Sequence, residues 1–298
     1  MRIPYFNVTE CIQVGEVLFR IDVPCRFPWK KKDIPFLVKE DAEHQREVLV
    51  KILFEEKLEE PQIPLLMDRG SIKVWADETL DIRAFYDIST QERVLYATSR
   101  WEGDQITIHF KYSTGFWDSP YFVIWPLLHL EAQLLLTNSL VLHCCYTQFE
   151  GKALLFTAPS GTGKTTHAEI WQRVFGSEIV NGDQGLLQQR KDGWDACGFP
   201  LSGSADECFN KSFPIKAIVI IRQSPDNYIE ELSISQKLSL IYSECTVNKW
   251  NQKRISYTLD LLVDLIQKVP VIMLHCNMKD DAARTLHQYL YKGSNGTV

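Results

Sequence analysis

One eight-residue segment constrains the fold of this chain more than any other feature of its sequence. The segment is Ala158-Pro159-Ser160-Gly161-Thr162-Gly163-Lys164-Thr165. It lies between a short apolar run, 153–157, and a stretch with helical spacing that begins near Gly163. Glycines in such a loop allow consecutive backbone N–H groups to converge on phosphate oxygens at the positive end of a helix. The segment therefore predicts a strand–loop–helix unit that binds a nucleotide, and a structural turn with an incidental lysine is the alternative.

Individual positions of the loop have distinct predicted roles. Lys164 would reach the β- and γ-phosphates, and the hydroxyl of Thr165 would bind Mg²⁺. Ala158 stands where the motif usually has its first glycine, and alanine disfavours a positive φ. The predicted nucleotide-binding residues are Ser160, Gly161, Thr162, Gly163, Lys164, Thr165 and Thr166.

A carboxylate follows the next apolar strand segment. Ile179-Val180-Asn181-Gly182-Asp183 ends in an acidic residue, with enough chain after Lys164 for one helix and a return strand. A carboxylate at a strand end beside a phosphate-binding loop is suited to hold Mg²⁺ and to accept a proton. Asp183 is therefore the predicted metal ligand and general base, and a turn aspartate is the alternative.

His143 lies in the apolar segment 141–145, directly before the strand that leads into the loop. By its pattern alone, a lone histidine in an apolar strand is more often a satisfied core residue than a functional one. The adjacent Cys144-Cys145 pair is typical of buried packing.

The two halves of the chain differ in their hydrophobic periodicity. The first 115 or so residues alternate with the two-residue period of strands, and Glu102-Gly103-Asp104 predicts a hairpin turn. Apolar residues at helical spacing then predict a buried helix over 124–135, and strands alternate with helices beyond it. We therefore predict an antiparallel β-rich domain over 1–116, followed by an α/β domain over 117–298.

Composition excludes several classes of protein. Hydrophobic residues make up 45% and charged residues 23% of the 298 positions, as in ordinary globular chains. The net charge of −6 gives no general basic surface for nucleic acid. The eight cysteines form no CxxC pair, and no signal peptide or membrane span is evident. We expect a cytoplasmic protein that binds neither nucleic acid nor membrane.

These segments together resemble the HPr kinase/phosphorylase family, in particular a divergent bacterial branch, whose fold is related to that of ATP-dependent phosphoenolpyruvate carboxykinase. The resemblance covers about 138–292. It rests on Leu142-His143-Cys144, 151–157, SGTGKTTHAEIW from Ser160 to Trp171, 179–183, 198–203, 214–218 and 269–271. It implies an α/β domain of the HPr kinase and phosphoenolpyruvate carboxykinase type in the second half.

The resemblance also implies roles for individual residues. His143 would orient the catalytic carboxylate, and Asp183 would be the general base and metal partner. The family usually has two adjacent aspartates here, whereas this chain has Gly182-Asp183. Ser202 and Gly203, in the 200–204 loop, would lie near the acceptor, and Arg222 could neutralise phosphate charge. A turn and a surface arginine are the plain alternatives.

The sequence thus predicts an Mg-ATP-dependent kinase with Asp183, His143 and Lys164 as catalytic residues. The acceptor would be a hydroxyl of a peptide, a protein or a small metabolite. The β-rich half would recognise the acceptor or form oligomer contacts. A weakly active or inactive ATP-binding switch that acts through a protein partner is the alternative, because one carboxylate is missing at Gly182.

Overall fold

The structure is a computed structural model that describes residues 8–23, 29–88, 93–112, 124–203 and 208–292. Contacts divide the chain into two compact units. The first comprises the described residues up to Thr137 together with Asn248–Gln252, and the second comprises Asn138–Val247 and the described residues from Lys253 onward. The predicted boundary at 116/117 lies outside the described residues and stays a prediction, while 124–137 group with the first unit.

The first unit contains an eight-stranded sheet among its described residues. Its strands are β1 (Val8–Val14), β2 (Val17–Val23), β3 (Arg46–Glu55), β4 (Leu65–Asp68), β5 (Ile72–Ala76), β6 (Leu80–Asp87), β7 (Val94–Glu102) and β8 (Gln105–Lys111). The strand order is β1-β2-β3-β8-β7-β6-β5-β4.

The predicted antiparallel sheet is observed for most strand pairs, with one exception. β3 runs parallel to both of its neighbours, β2 and β8, and the other pairings are antiparallel. A two-residue alternation identifies a strand but not its direction, which depends on the length of the connection. The long segments between β2 and β3, and between β3 and β8, allow the chain to return and run parallel.

The predicted hairpin turn is confirmed. Glu102 pairs with Gln105 across β7 and β8, and Gly103 has a φ of +62°. A glycine tolerates this left-handed conformation at little cost, so the two-residue connection closes without strain.

The predicted helix over 124–135 is interrupted. A short 3₁₀ turn, Trp125–Leu128, is followed by α1, Leu130–Leu135, and His129 between them has a φ of +51°. The ring of His129 is fully buried, and its Nε2 lies 2.8 Å from the hydroxyl of Ser99. His129 thus ends the 3₁₀ turn and precedes α1 in a left-handed conformation, while its side chain makes the tertiary contact with Ser99.

The second unit is a mixed α/β structure. Its strands are β9 (Ser139–Phe149), β10 (Lys152–Thr157), β11 (Glu178–Asn181), β12 (Gln184–Arg190), β13 (Gly193–Cys197), β14 (Phe213–Gln223), β15 (Tyr228–Glu231) and β16 (Val271–Cys276). Its helices are α2 (Lys164–Phe175), α3 (Ile234–Glu244), α4 (Gln252–Lys268) and α5 (Asp280–His287), the last followed by a π-helical turn (Gln288–Lys292).

The central strands of this unit are β11, β9, β10, β14, β16 and β15, in that order. β12 and β13 join the first half of β9 to the start of β14. β10 is buried from Ala153 to Thr157, and α2 packs near it with Trp171 in the same apolar core.

The strand directions bring three segments to one edge of the sheet. β10 and β11 both pair antiparallel with β9, so they run in the same direction and end at the same edge. Thr157, at the end of β10, pairs with Cys144, and its hydroxyl donates to the carbonyl of His143 at 2.8 Å. The 158–165 loop, the end of β11 and His143 therefore meet at this edge.

Candidate functional site

The 158–165 loop leads directly from β10 into α2. Gly161 and Gly163 have φ values of +79° and +112°, and the helix begins at Lys164. The φ of Gly163 favours glycine there, and a Cβ added to it would also lie 2.6 Å from Cε of Met278, whose side chain would have to move.

Ala158 fits the position where the motif usually has a glycine. It is 1% exposed, its φ is not positive, and it packs in the apolar core with Phe156 and Ala168. The backbone therefore does not need a glycine at this point, and the methyl group is accommodated by the core.

Lys164 is buried within its own loop. Its side-chain ammonium donates to the carbonyl oxygen of Ala158 at 2.8 Å and lies 3.5 Å from that of Pro159, and the residue is only 7% exposed. These contacts hold a positive charge at the start of α2, where the helix end itself favours an anion.

Asp183 is positioned by a buried asparagine, Asn181, for which the sequence predicted no role beyond the strand segment. Oδ1 of Asn181 accepts from the backbone N–H groups of Asp183 and Gln184 at 2.9 and 3.0 Å. Its Nδ2 donates to the carbonyls of Phe199 and Leu201 at 2.8 and 3.1 Å. The Asn-Gly sequence after an apolar strand is a turn signal that could have indicated this role.

Gly203 lies against the carboxylate of Asp183. Its φ is +58°, and a Cβ built there would lie 2.8 Å from Cγ of Asp183. The absence of a side chain at Gly203 therefore leaves the space in which the Asp183 carboxylate sits.

His143 contacts two carboxylates. Its Nε2 lies 3.6 Å from Oδ1 of Asp183, and its Nδ1 lies 3.0 Å from Oε2 of Glu244, the last residue of α3. About 30% of the His143 side chain is exposed, so it is not the fully buried core residue that its pattern favoured. Glu244 is distant in sequence and no motif pointed to it.

Cys144, the residue after His143, is fully buried, as predicted for a packing residue. Burial raises the pKa of its thiol well above the ordinary value.

One cavity of about 550 Å³ collects most of the predicted site residues. It is lined by His143, Ser160, Gly161, Gly163, Lys164, Thr165, Thr166, Glu169, Gly182, Asp183 and Ser202. Glu169 was not predicted. It follows Thr165 by four residues on α2, so both project from the same face of the helix.

The predicted residues that do not line this cavity are Thr162, Gly203 and Arg222. The backbone carbonyl of Thr162 accepts a hydrogen bond from Nε2 of Gln223 at 3.1 Å, and Gly203 lies against the Asp183 side chain. Arg222 is exposed near the end of β14, paired in register with His275. Because Arg222 does not line the cavity, its predicted contact with phosphate gains no support from the structure. Ser204 lies outside the described residues.

The oxygen atoms in the cavity suit a magnesium ion that also binds phosphate. The hydroxyl of Thr165 lies 3.5 Å from the carbonyl of Gly182, beside Asp183. No cluster of three or more His, Cys, Asp or Glu side chains arranged for a metal occurs among the described residues. Mg²⁺ commonly takes one or two protein oxygens and completes its octahedron with phosphates and water. Thr165 and Asp183 fit that pattern.

No protein-family model matches this chain, and no curated protein matches its sequence. Among solved structures, the HPr(Ser) kinase/phosphatase from Coxiella burnetii is similar to it with a TM-score of 0.32 and 9% identity. The match covers 52% of this chain and 99% of that one. At this score and identity, the similarity assigns neither a family nor an activity. In the part of the chain that the structure describes, no helix is both long and apolar enough to span a membrane.

Proposed function

We propose that this protein is an Mg-ATP-dependent kinase that transfers the γ-phosphate to a hydroxyl group. The observation that carries the proposal is the shared cavity, in which a glycine loop, the Lys164 ammonium at a helix start and the Asp183 carboxylate face one volume. The resemblance of the sequence to HPr kinases agrees with this proposal.

The proposed reaction uses the chain's own groups for binding and proton transfer. Loop N–H groups and Lys164 hold the nucleotide phosphates, and Asp183 accepts the proton of the acceptor hydroxyl. The hydroxyl oxygen forms a bond to the γ-phosphorus while the bond from that phosphorus to the β,γ-bridging oxygen breaks, leaving ADP. Bound Mg²⁺, held by Thr165 and Asp183, would neutralise phosphate charge. Positioning and charge neutralisation supply most of the catalysis in such transfers.

The acceptor is a serine or threonine of a peptide or protein, or a small metabolite, in this proposal. Ser202 lines the cavity near Asp183, so the 200–204 loop is our candidate for acceptor contact. We assign acceptor recognition or homo-oligomer contacts to the first unit.

The test compares Asp183→Asn with the native chain, using radiolabelled ATP, Mg²⁺ and a panel of serine peptides and hydroxylated metabolites. We expect transfer to fall about a hundredfold or more, since general-base catalysis contributes that much, while Mg-ATP still binds. Asp192→Asn, at an exposed position between β12 and β13, is the matched control and should transfer normally. Unchanged transfer in Asp183→Asn would remove this carboxylate from the mechanism.

A second candidate is a nucleotide-binding switch without transferase activity. The observation that favours it is Gly182, which lines the cavity where the resembling family has a second aspartate. Gly182→Asp distinguishes the two: a sharp rise in transfer indicates a weakened kinase, whereas Mg-ATP binding without transfer in both forms supports the switch.

A further inference from the structure

In the second unit, the His143 side chain contacts both Glu244 and Asp183, and it links Glu244 to the cavity. Oε2 of Glu244 lies 3.0 Å from Nδ1 of His143, and Nε2 of the same ring lies 3.6 Å from Oδ1 of Asp183. His143 and Asp183 line the cavity, but Glu244 does not, and its side chain is 13% exposed. Glu244 therefore reaches the cavity through its contact with the His143 ring.

The first contact fixes the position of one proton. An ionised carboxylate only accepts hydrogen bonds, so the ring nitrogen that faces Glu244 must donate its proton. In a neutral imidazole the other nitrogen then carries a lone pair. That nitrogen, Nε2, faces Asp183 and the cavity.

Backbone contacts hold the end of α3 against the strand that carries His143. Cys245, next to Glu244, forms an antiparallel bridge with Leu142, next to His143. The backbone N–H of Thr246 donates to the carbonyl of Val141 at 2.9 Å. These contacts hold the main chain next to Glu244 against the main chain next to His143. The fold therefore sets the Glu244–His143 contact, which is not made by two freely rotating surface groups.

We propose that Glu244 is a positioning residue that keeps a proton on Nδ1 of His143 and so directs Nε2 of the ring at Asp183. This inference rests on the proposed function. In that reaction, Glu244 holds the His143 ring, and the ring restricts where the Asp183 carboxylate lies when it takes the proton of the acceptor hydroxyl. A carboxylate that orients an imidazole beside a reacting group recurs in unrelated hydrolases.

The chain offers a matched control for this contact. Nε2 of His275 lies 2.7 Å from Oε2 of Glu230, on β16 and β15 of the same unit, and neither residue lines the cavity. Glu230→Ala removes a carboxylate from an imidazole just as Glu244→Ala does. It should change the signals of His275 alone.

The experiment records long-range ¹H–¹⁵N spectra of the full chain labelled at histidine, in a buffer in which the rings are neutral. His143→Gln assigns the relevant signals. We expect a protonated Nδ1 in the native chain, loss of that preference in Glu244→Ala, and its retention in Glu244→Gln, whose side-chain carbonyl still accepts. If Glu244→Ala does not fold, Glu244→Met replaces it. A His143 ring with the same tautomer in the native chain and in Glu244→Ala or Glu244→Met would overturn the proposal.

ADP formation from Mg-ATP, with water as the acceptor, gives a second readout. We expect it to fall about tenfold or more in Glu244→Ala, with the Kd for Mg-ATP changed less than about threefold, and to stay normal in Glu230→Ala. Equal turnover in Glu244→Ala and the native chain would contradict the role of Glu244. Failure of the native chain to bind Mg-ATP would instead contradict the proposed function, and the tautomer result would still decide the position of the proton.

Discussion

Asp183 owes its place in the cavity to two residues that carry no charge. Asn181 fixes the backbone of the turn through its amide oxygen, and Gly203 leaves the volume that the carboxylate fills. Both contacts restrict where the carboxylate can lie, and misplacement of a catalytic group by about an ångström is enough to lower a rate strongly.

Gly203→Ala tests this dependence directly. The added methyl group would overlap the Asp183 carboxylate, so we expect phosphoryl transfer to fall about tenfold or more with little change in the Kd for Mg-ATP. Gly151→Ala is the control, because Gly151 has a φ of +71° with no heavy atom within 4 Å of an added Cβ. It introduces similar backbone strain without displacing a carboxylate. Equal effects of the two substitutions on transfer would contradict the steric role of Gly203.

At the scale of single residues, the sequence predicted the groups that belong to local motifs. Most of the predicted loop residues, together with Asp183 and His143, line one cavity. Glu244 could not be predicted, since it reaches His143 only because α3 ends beside β9. Glu169 lacked a signal as well, because one charged residue on a helix more often marks a solvated face.

Among the helices, α2 contains an unusual buried group. His167 is fully buried and packs edge-on against Phe156, and neither ring nitrogen has a hydrogen-bond partner among the residues that the structure describes. Burial lowers its pKa from the ordinary 6.5 to about 4. The native chain therefore keeps this ring neutral at pH values at which an unfolded chain would protonate it.

The free energy of unfolding should therefore fall with acid. Between pH 6.5 and about 4 the unfolded chain binds a proton that the native chain does not, so His167 removes up to about 3 kcal/mol of stability over this range. Above pH 6.5 the effect is absent, because both states are neutral. Denaturant unfolding measured across this range should show that His167→Leu loses that part of the pH dependence.

Ile170→Val in the same helix serves as the control for this pH dependence. It removes one buried methylene without a titratable group, so its effect on stability should be equal at both ends of the pH range. Identical pH profiles for His167→Leu and the native chain would show that burial of this ring has no such effect.

At the scale of elements, the sequence predicted that a helix begins near Gly163, because the loop fixes the start of α2, and Gly176 ends this helix in the structure. The interruption at His129 was not predictable, since its contact with Ser99 joins distant segments. The direction of β3 depends likewise on its neighbours in space.

At the scale of the whole molecule, the first unit contains a largely buried ion pair. Nη2 of Arg83 lies 2.6 Å from Oε1 of Glu131, and the same oxygen accepts a hydrogen bond from Nδ2 of Asn248 at 2.7 Å. Burial acts to raise the pKa of Glu131, but the charge and hydrogen bonds of Arg83 outweigh it, so the pKa lies below its ordinary value. The pair links β6 with α1 and with the 248–252 segment of this unit.

Removing the cation should destabilise this unit strongly. Arg83→Met leaves the largely buried Glu131 and the buried Asp81 without their shared cation, and we expect a loss of about 3–5 kcal/mol in the free energy of unfolding. Arg100→Met removes an arginine from an exposed pair with Glu102 in the same sheet, which should cost less than about 1 kcal/mol. Denaturant titration followed by circular dichroism measures both. Similar costs for the two substitutions would contradict the account of the buried pair.

The measurement that tests the central proposal most directly is thermal unfolding with and without Mg-ATP, for the native chain and Lys164→Ala. Mg-ATP at a hundred times its Kd should add about 2.7 kcal/mol to stability, which is several degrees for a protein of this size. Lys152→Ala, at an exposed position on β10, is the control and should keep the shift. We expect a shift that requires Mg²⁺ and is lost in Lys164→Ala. No shift in the native chain, or an equal shift in Lys164→Ala, would contradict the central proposal.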